Sequence, residues 1–430
     1  MKHLLLLLFL SISTSTYSQT SSAQKSPPLT SATPESVGMS AERLARIDAM
    51  CEAAIKKGEV PGVVALVARK GKIVYHKAFG HADKAANREM KTTDIFRIAS
   101  QTKAITSTAV MMLWEEGHFR LDDPISRWIP EFKNPKVLKK FSYSDTSFTS
   151  EPANKEITIR HLLTHTAGIG YGLIDPDESF RMLFAKAGVS EIATSEALTT
   201  EQNIKRVAGL PLHFHPGEKY LYSMGLDVLA YFVEVVSGMP FDQFLQNRLF
   251  EPLGMEDTYF YLPESKHDRL VAMYELSRKG WNRSVAQGPY DPDYPITCKQ
   301  SLFSGGGGLS STADDYATFL QMYLNNGELN GVRILSRTTI QAMMANQIGD
   351  LWGDRGSYYG LAFGVVDVAG QAKGGSGSTG TFSWGGAFNT QYFADPKEEI
   401  IGVLMKQTRF AWQDKTNWQF RQLVGQAVDD

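Results

Sequence analysis

The sequence predicts a mixed α/β fold of the α+β type, an antiparallel sheet flanked by helices with a mostly helical lobe inserted into it. Three observations carry that expectation. Strand-like runs cluster near both ends of the chain, a helix pattern adjoins a hairpin pattern close to the start, and the middle third repeats apolar residues at helical spacing. A doubly wound parallel sheet would instead alternate strands and helices throughout.

At the N-terminus, Lys2 and His3 precede an apolar run from Leu4 to Leu10, too short to span a bilayer, followed by small residues with Thr16 and Ser18 before Gln19. Residues 1–18 therefore read as a cleavable signal peptide, and the expected location is periplasmic or secreted. Residues 19–36 are rich in Ser, Thr and Pro and are expected to form a flexible lead-in. Ser40 caps a helix whose apolar positions are Leu44, Ile47, Cys51 and Ala54, ended by Gly58 and Pro61. Val63 to Ala68 and Ile73 to Phe79 then form a hairpin around Arg69-Lys70-Gly71-Lys72.

Ile98-Ala99-Ser100-Gln101-Thr102-Lys103 opens a buried helix that runs on to Leu113. Beyond it come short helices and proline-containing loops to about Pro152, then helices at Thr158 to Thr166, within Asp175 to Gly209, at Leu226 to Ser237 and at Phe241 to Leu249. These belong to a helical lobe of about residues 101–300, whose last part, Leu262 to Gln300, is long and irregular. Ser304 to Leu309 contains four consecutive glycines before a capped helix; no Gly-Lys-Ser/Thr follows, so close backbone packing is expected and not a phosphate cradle. Strands return at Thr381 to Gly386, Thr390 to Ala394 and Ile400 to Lys406, and an amphipathic helix covers Asn417 to Val428.

Composition narrows the function. A hydrophobic content of 43% and an aromatic content of 11% mark a folded globular chain. The formal charge of −2 offers no basic footprint for nucleic acid. Cys51 and Cys298 are too few for a disulfide scaffold and are not spaced for a metal. His161 and His165 lie four apart but lack a glutamate beside the first, and His213 with His215 lacks a third ligand, so no metal is expected. Gly374-Gly375-Ser376-Gly377-Ser378 does not fit Gly-x-Ser-x-Gly and reads as a loop.

Residues three apart share a helix face, so Ser100 and Lys103 point into one space. A serine hydroxyl needs a base to take its proton, and a buried lysine can be that base. The helix start adds free N–H groups where an oxyanion would form. The same Ser-x-x-Lys spacing also occurs at Ser22 to Lys25 in linker-like sequence, so the tetrapeptide alone singles out nothing.

Taken with other segments, Ser100-Gln101-Thr102-Lys103 resembles the first signature of the serine β-lactamase and penicillin-recognising superfamily. Leu162-Leu163-Thr164-His165-Thr166-Ala167-Gly168 is similar to that family's Leu-Leu-x-His-Thr-Ser-Gly, and Tyr222-Ser223-Met224 falls where it has Tyr-x-Asn. Phe250 to Met255 and Gly307 to Thr312 match in order, and Trp384-Gly385-Gly386 stands where β-lactamases have Lys-Thr-Gly and several esterases Trp-Gly-Gly. The resemblance is to the class C-like branch, nearest the family VIII carboxylesterases, and runs from about Pro34 to the C-terminus, which implies one β-lactamase/transpeptidase-like domain over residues 37–430.

The resemblance implies Ser100 as nucleophile, Lys103 as its partner, Tyr222 as second proton-transfer group, and an oxyanion hole from the N–H groups of Ser100 and Ala387. Trp384, Gly385, Gly386 and Met224 would line the substrate site. Met224 and Trp384 replace an asparagine and a lysine of the β-lactamases, leaving an apolar wall that suits simple esters. The expected activity is ester hydrolysis through an acyl-serine on a small-molecule ester or amide, with no cofactor, nucleic acid or transmembrane segment in the mature chain. The alternatives are a β-lactamase, a D-amino-acid peptidase or acyltransferase, and a penicillin-binding sensor that does not turn over.

Overall fold

A computed structural model of the chain describes residues 21–192, 194, 196–287 and 290–430, so the expected signal peptide and its cleavage position lie outside the described residues. Residues from both ends of the chain build one nine-stranded sheet. Its strands are β1 (Thr30–Ser31), β2 (Gly62–Arg69), β3 (Lys72–Asp83), β4 (Arg88–Glu89), β5 (Ser357–Tyr359), β6 (Gly364–Val366), β7 (Phe382–Gly386), β8 (Thr390–Asp395) and β9 (Ile400–Met405). The order is β1-β3-β2-β9-β8-β7-β6-β5, with β4 paired to β3. Every pairing is antiparallel except β1 with β3 at the edge.

The sheet joins the two chain ends where β9 pairs β2, from Ile400 opposite Arg69 to Met405 opposite Val64. Both strands are buried along their whole length and, apart from Arg69 at the end of β2, apolar, as a sheet covered on both faces requires. Alternate residues sort to opposite faces. Val63, Ala65 and Val67 pack with Ile47 and Cys51 of α1 (Arg46–Lys56) and with Phe420 and Val424 of the C-terminal helix Thr416–Gly425. Val64, Leu66 and Ala68 face the main core, which includes Ile105 of α2 (Thr102–Glu115) and Phe319 of the helix Ala313–Leu324.

The Ser/Thr/Pro-rich lead-in, expected to be flexible, is held to the body from Ser21 onward. Ser26 donates its N–H (3.2 Å) and hydroxyl (2.6 Å) to the buried Glu328 carboxylate, and Thr30–Ser31 pairs with Lys72–Ile73. Composition does not reveal these contacts because their partners lie far away in sequence.

Between β4 and β5 the chain carries, among others, helices α3 (Glu178–Ala187), α4 (Thr200–Ala208) and α5 (Gly225–Ser237), with α5 packed along α2. Two hairpins stand where loops were expected, Lys136–Phe141 with Phe148–Pro152, and Tyr274–Ser277 with Gly280–Arg283. Their strands are short, largely polar and partly exposed, so no alternation of apolar residues announces them. No single helix among the described residues is long and apolar enough to cross a membrane. Cys51 and Cys298 are both free and buried.

Candidate active site

Ser100 sits at a sharp junction. The short strand Phe96–Arg97 pairs with Ser310–Ser311, and the Ile98 N–H donates to the carbonyl of Leu309. Ala99 then takes a φ of +44°, an unfavourable conformation for a residue with a Cβ, and the chain turns through Ala99–Gln101 into α2. The side chain of Lys103, one turn on, is fully buried. Its Nζ lies 3.5 Å from Ser100 Oγ, so the two share one face as the spacing predicted. The same Nζ donates to the carbonyl of Gly306 at 2.6 Å and to the hydroxyl of Tyr171 at 3.2 Å.

Tyr222 flanks the lysine through its ring. Lys103 Nζ stands 4.5 Å from the ring centre, and the ring lies against Tyr171 (5.4 Å, 13°), His165 (4.6 Å) and Trp384 (5.9 Å). Tyr222 Oη is buried without a hydrogen-bond partner among the described residues, as are His165 Nε2 and Asp227 Oδ2, and of these it is the hydroxyl that flanks Lys103. His165 is fully buried at a φ of +57°, and its Nδ1 accepts from the Ser223 N–H at 3.2 Å. Burial, helped by the charge on Lys103, holds its imidazole well below the ordinary range, so it is a neutral brace behind Tyr222.

Gly305 and Gly306 of the glycine run act through close packing. A Cβ on Gly305 would lie 2.5 Å from the Leu226 carbonyl, and one on Gly306 2.2 Å from Asp227 Oδ2. The buried Asp227 carboxylate accepts from Ser304 Oγ (2.5 Å) and from the Gly306 N–H (3.0 Å), which aims the Gly306 carbonyl at Lys103. Burial raises the Asp227 carboxyl, against the opposing pull of Lys103. Tyr171, Gly306 and Asp227 were not legible as site residues. The only signal was that Tyr171 follows the His-Thr-Ala-Gly segment by three residues.

Trp384, Gly385 and Gly386 form the end of β7 beside the serine turn. A Cβ on Gly386 would meet the Ile98 carbonyl at 2.4 Å, and Thr390 Oγ1 donates to that carbonyl at 3.4 Å. Ala387 follows as an exposed residue of the β7–β8 loop. Trp384 also contacts Tyr359 (5.5 Å) and Trp352 (6.3 Å), continuing an aromatic wall from Tyr222. Met224 is the residue expected beside that wall. It is fully buried at the start of α5 and belongs to the main core, where an apolar thioether needs no polar partner.

The other histidines have local duties. His161 closes a capping box with Thr158, His213 pairs with Asp175 at 3.0 Å, and His215 Nδ1 accepts from the Asn154 N–H. Among the described residues no group of three or more His, Cys, Asp or Glu side chains is placed to hold a metal ion.

Residues 47–426 match the Beta-lactamase family. The chain belongs to that family. It is similar to esterase EstB of Burkholderia gladioli, 32% identical across 85% of this chain and 91% of the relative. Protein Rv1367c of Mycobacterium tuberculosis is 34% identical, across 83% of this chain and 87% of the relative. Among solved structures, the chain resembles EstCE1, described as a hydrolase with promiscuous acyltransferase activity, with a TM-score of 0.76 and 29% identity over 89% of this chain and 98% of that one. Family, relatives and fold together make this β-lactamase-family chain a serine hydrolase.

Proposed function

We propose that the chain is an esterase that forms an acyl intermediate on Ser100. The contact of Lys103 Nζ with Ser100 Oγ at 3.5 Å carries this reading, because it supplies a proton acceptor beside the one nucleophile at the start of α2. Ser100 Oγ attacks the ester carbonyl while its proton moves toward Lys103 and Tyr222, which act as one unit. The N–H groups of Ser100 and Ala387 hold the oxyanion, and collapse expels the alcohol with a proton returned from that unit. Water, activated by the same unit, then releases the acid.

Ester preference is supported by the aromatic surface at Trp384, which replaces the lysine of the β-lactamases and lies against Tyr222 and Tyr359. The esterase name of EstB favours the same substrates. The description of EstCE1 favours a second reaction, acyl transfer to an alcohol that outcompetes water. The test compares a short-chain nitrophenyl ester with a chromogenic cephalosporin, using Ser100→Ala as control. Ester turnover lost in the control, with little cephalosporin cleavage, is expected; efficient cephalosporin cleavage would make the protein a β-lactamase. Added alcohol yielding a new ester would establish transfer.

We also infer export to the periplasm or medium, supported by the charged start, the apolar run Leu4 to Leu10 and the small residues before Gln19. Mass spectrometry of the protein from its native host should give a mature chain beginning at Gln19.

A further inference from the structure

The β7–β8 loop that carries Ala387 is three residues long, Ala387-Phe388-Asn389, closed by Gly386 opposite Thr390. Such loops place their third residue in the left-handed region, and Asn389 has a φ of +69°. Phe388 is buried in one apolar cluster with Ala99, the residue before Ser100, and its carbonyl accepts from the Thr408 N–H at 3.1 Å. The Asn389 amide is used completely. Nδ2 donates to Asp414 Oδ2 at 2.8 Å and to Thr408 Oγ1 at 2.9 Å, and Oδ1 accepts from Asn417 Nδ2 at 3.0 Å.

Behind it lies a buried ion pair. The Lys406 side chain is 0% exposed and that of Asp414 2%, with Nζ and Oδ2 at 2.5 Å. Lys406 Nζ also donates to Thr416 Oγ1 (2.8 Å) and Asn417 Oδ1 (2.6 Å), so its three hydrogens each have an acceptor. A buried pair of this kind adds little net stability, and fixing one geometry is its best-attested use.

We propose that Asn389, anchored on the Lys406–Asp414 pair, is a positioning residue that holds the Ala387 N–H in the oxyanion hole. The proposal rests on the reading of Ala387 as the second oxyanion donor. Gly386 is pressed against the Ile98 carbonyl and Phe388 is buried in the cluster that includes Ala99, so the Asn389 amide fixes the remaining freedom of the loop. The oxyanion forms only along the reaction, so misplacing its donor lowers kcat and spares substrate binding.

Asn389→Gly keeps the left-handed backbone and removes only the amide. The expected result is a kcat lowered about 10- to 100-fold with KM within about twofold, and a parallel fall in affinity for a boronic acid that mimics the tetrahedral state. Thr408→Val removes a single acceptor and should lower kcat about three- to tenfold with the same split, which serves if Asn389→Gly does not fold. Unchanged kcat and boronate affinity in both variants, or a rise confined to KM, would overturn the proposal. Ala387→Pro tests the underlying reading separately, since it deletes the N–H in a turn-compatible residue and should lower kcat about 10²- to 10³-fold. Full turnover by Ala387→Pro, with Ser100→Ala inactive, would refute the oxyanion assignment itself.

Discussion

Lys103 donates to Tyr171 Oη at 3.2 Å, and Tyr171 lies nearly flat on Tyr222, ring centres 5.4 Å apart and planes inclined by 13°. The two phenols beside the lysine are therefore not equivalent. Burial holds the Tyr171 phenol well above its ordinary range, so it stays neutral and serves as an acceptor that orients Lys103. Tyr222 keeps its hydroxyl uncommitted, and in the proposed mechanism that hydroxyl transfers the proton. Tyr222→Phe should lower ester turnover about 10²- to 10⁴-fold, whereas Tyr171→Phe, which removes one hydrogen-bond acceptor of Lys103, should lower it about tenfold. Steady-state kcat for both variants, with unchanged circular dichroism, checks the ranking; equal losses would give the two phenols equal roles.

Lys103 is the hub of the cluster, reaching Ser100, Tyr171 and Gly306 from a fully buried position. In the proposed mechanism Lys103→Ala removes the proton acceptor, and turnover should fall about 10²- to 10⁴-fold. Acylation followed by a quench and mass spectrometry should show slowed formation of the Ser100 adduct. Near-full activity would remove the lysine from the mechanism.

Gly306 is a place where one methyl group should disable the site. Its added Cβ would fall 2.2 Å from Asp227 Oδ2, and Asp227 cannot retreat because Ser304 Oγ and the Gly306 N–H hold it. Gly306→Ala therefore has to displace the carbonyl that Lys103 uses, and kcat should fall at least about tenfold together with the melting temperature. Gly425, the last residue of the C-terminal helix, has open space around it and serves as control. Gly425→Ala should leave kcat unchanged and shift stability by no more than about 1 kcal/mol.

The parts of this architecture that sequence reveals are those with local periodicity. β2, up to Arg69 at its end, and β9 are apolar runs and α2 is apolar along most of its length, so each declares itself within its own residues. Ser100 and Lys103 were legible for the same reason, since one helical turn joins them. Tyr171 and Gly306 were not, because they reach Lys103 across separations of 68 and 203 residues. Met224 shows the converse. Its position in the motif was legible, but the direction of its side chain depends on how α5 packs, and that direction is inward.

Glu191 gives the fold a pH dependence near neutrality. Its carboxylate accepts the Leu173 N–H at 2.5 Å and so holds the turn Gly172–Ile174 that follows Tyr171. Burial lifts its carboxyl to about 7, the Leu173 N–H opposing and the charges of Asp227 and Asp175 adding to the rise. A glutamate in the unfolded chain ionises near about 4.3. Between these values the folded chain binds a proton that the unfolded chain has lost, so this group's contribution is full below the unfolded value and disappears as pH rises through about 7. Glu234, also lifted to about 7 by burial, acts in the same direction. Glu191→Gln keeps an acceptor for the Leu173 N–H and cannot ionise. Its melting temperature should therefore fall less than that of the parent protein between pH 5 and pH 8, leaving the share due to other carboxyls raised by burial, Glu234 and Asp315 among them. Parallel melting curves across that range would exclude Glu191 as a titrating group, because the only property the substitution removes is its charge.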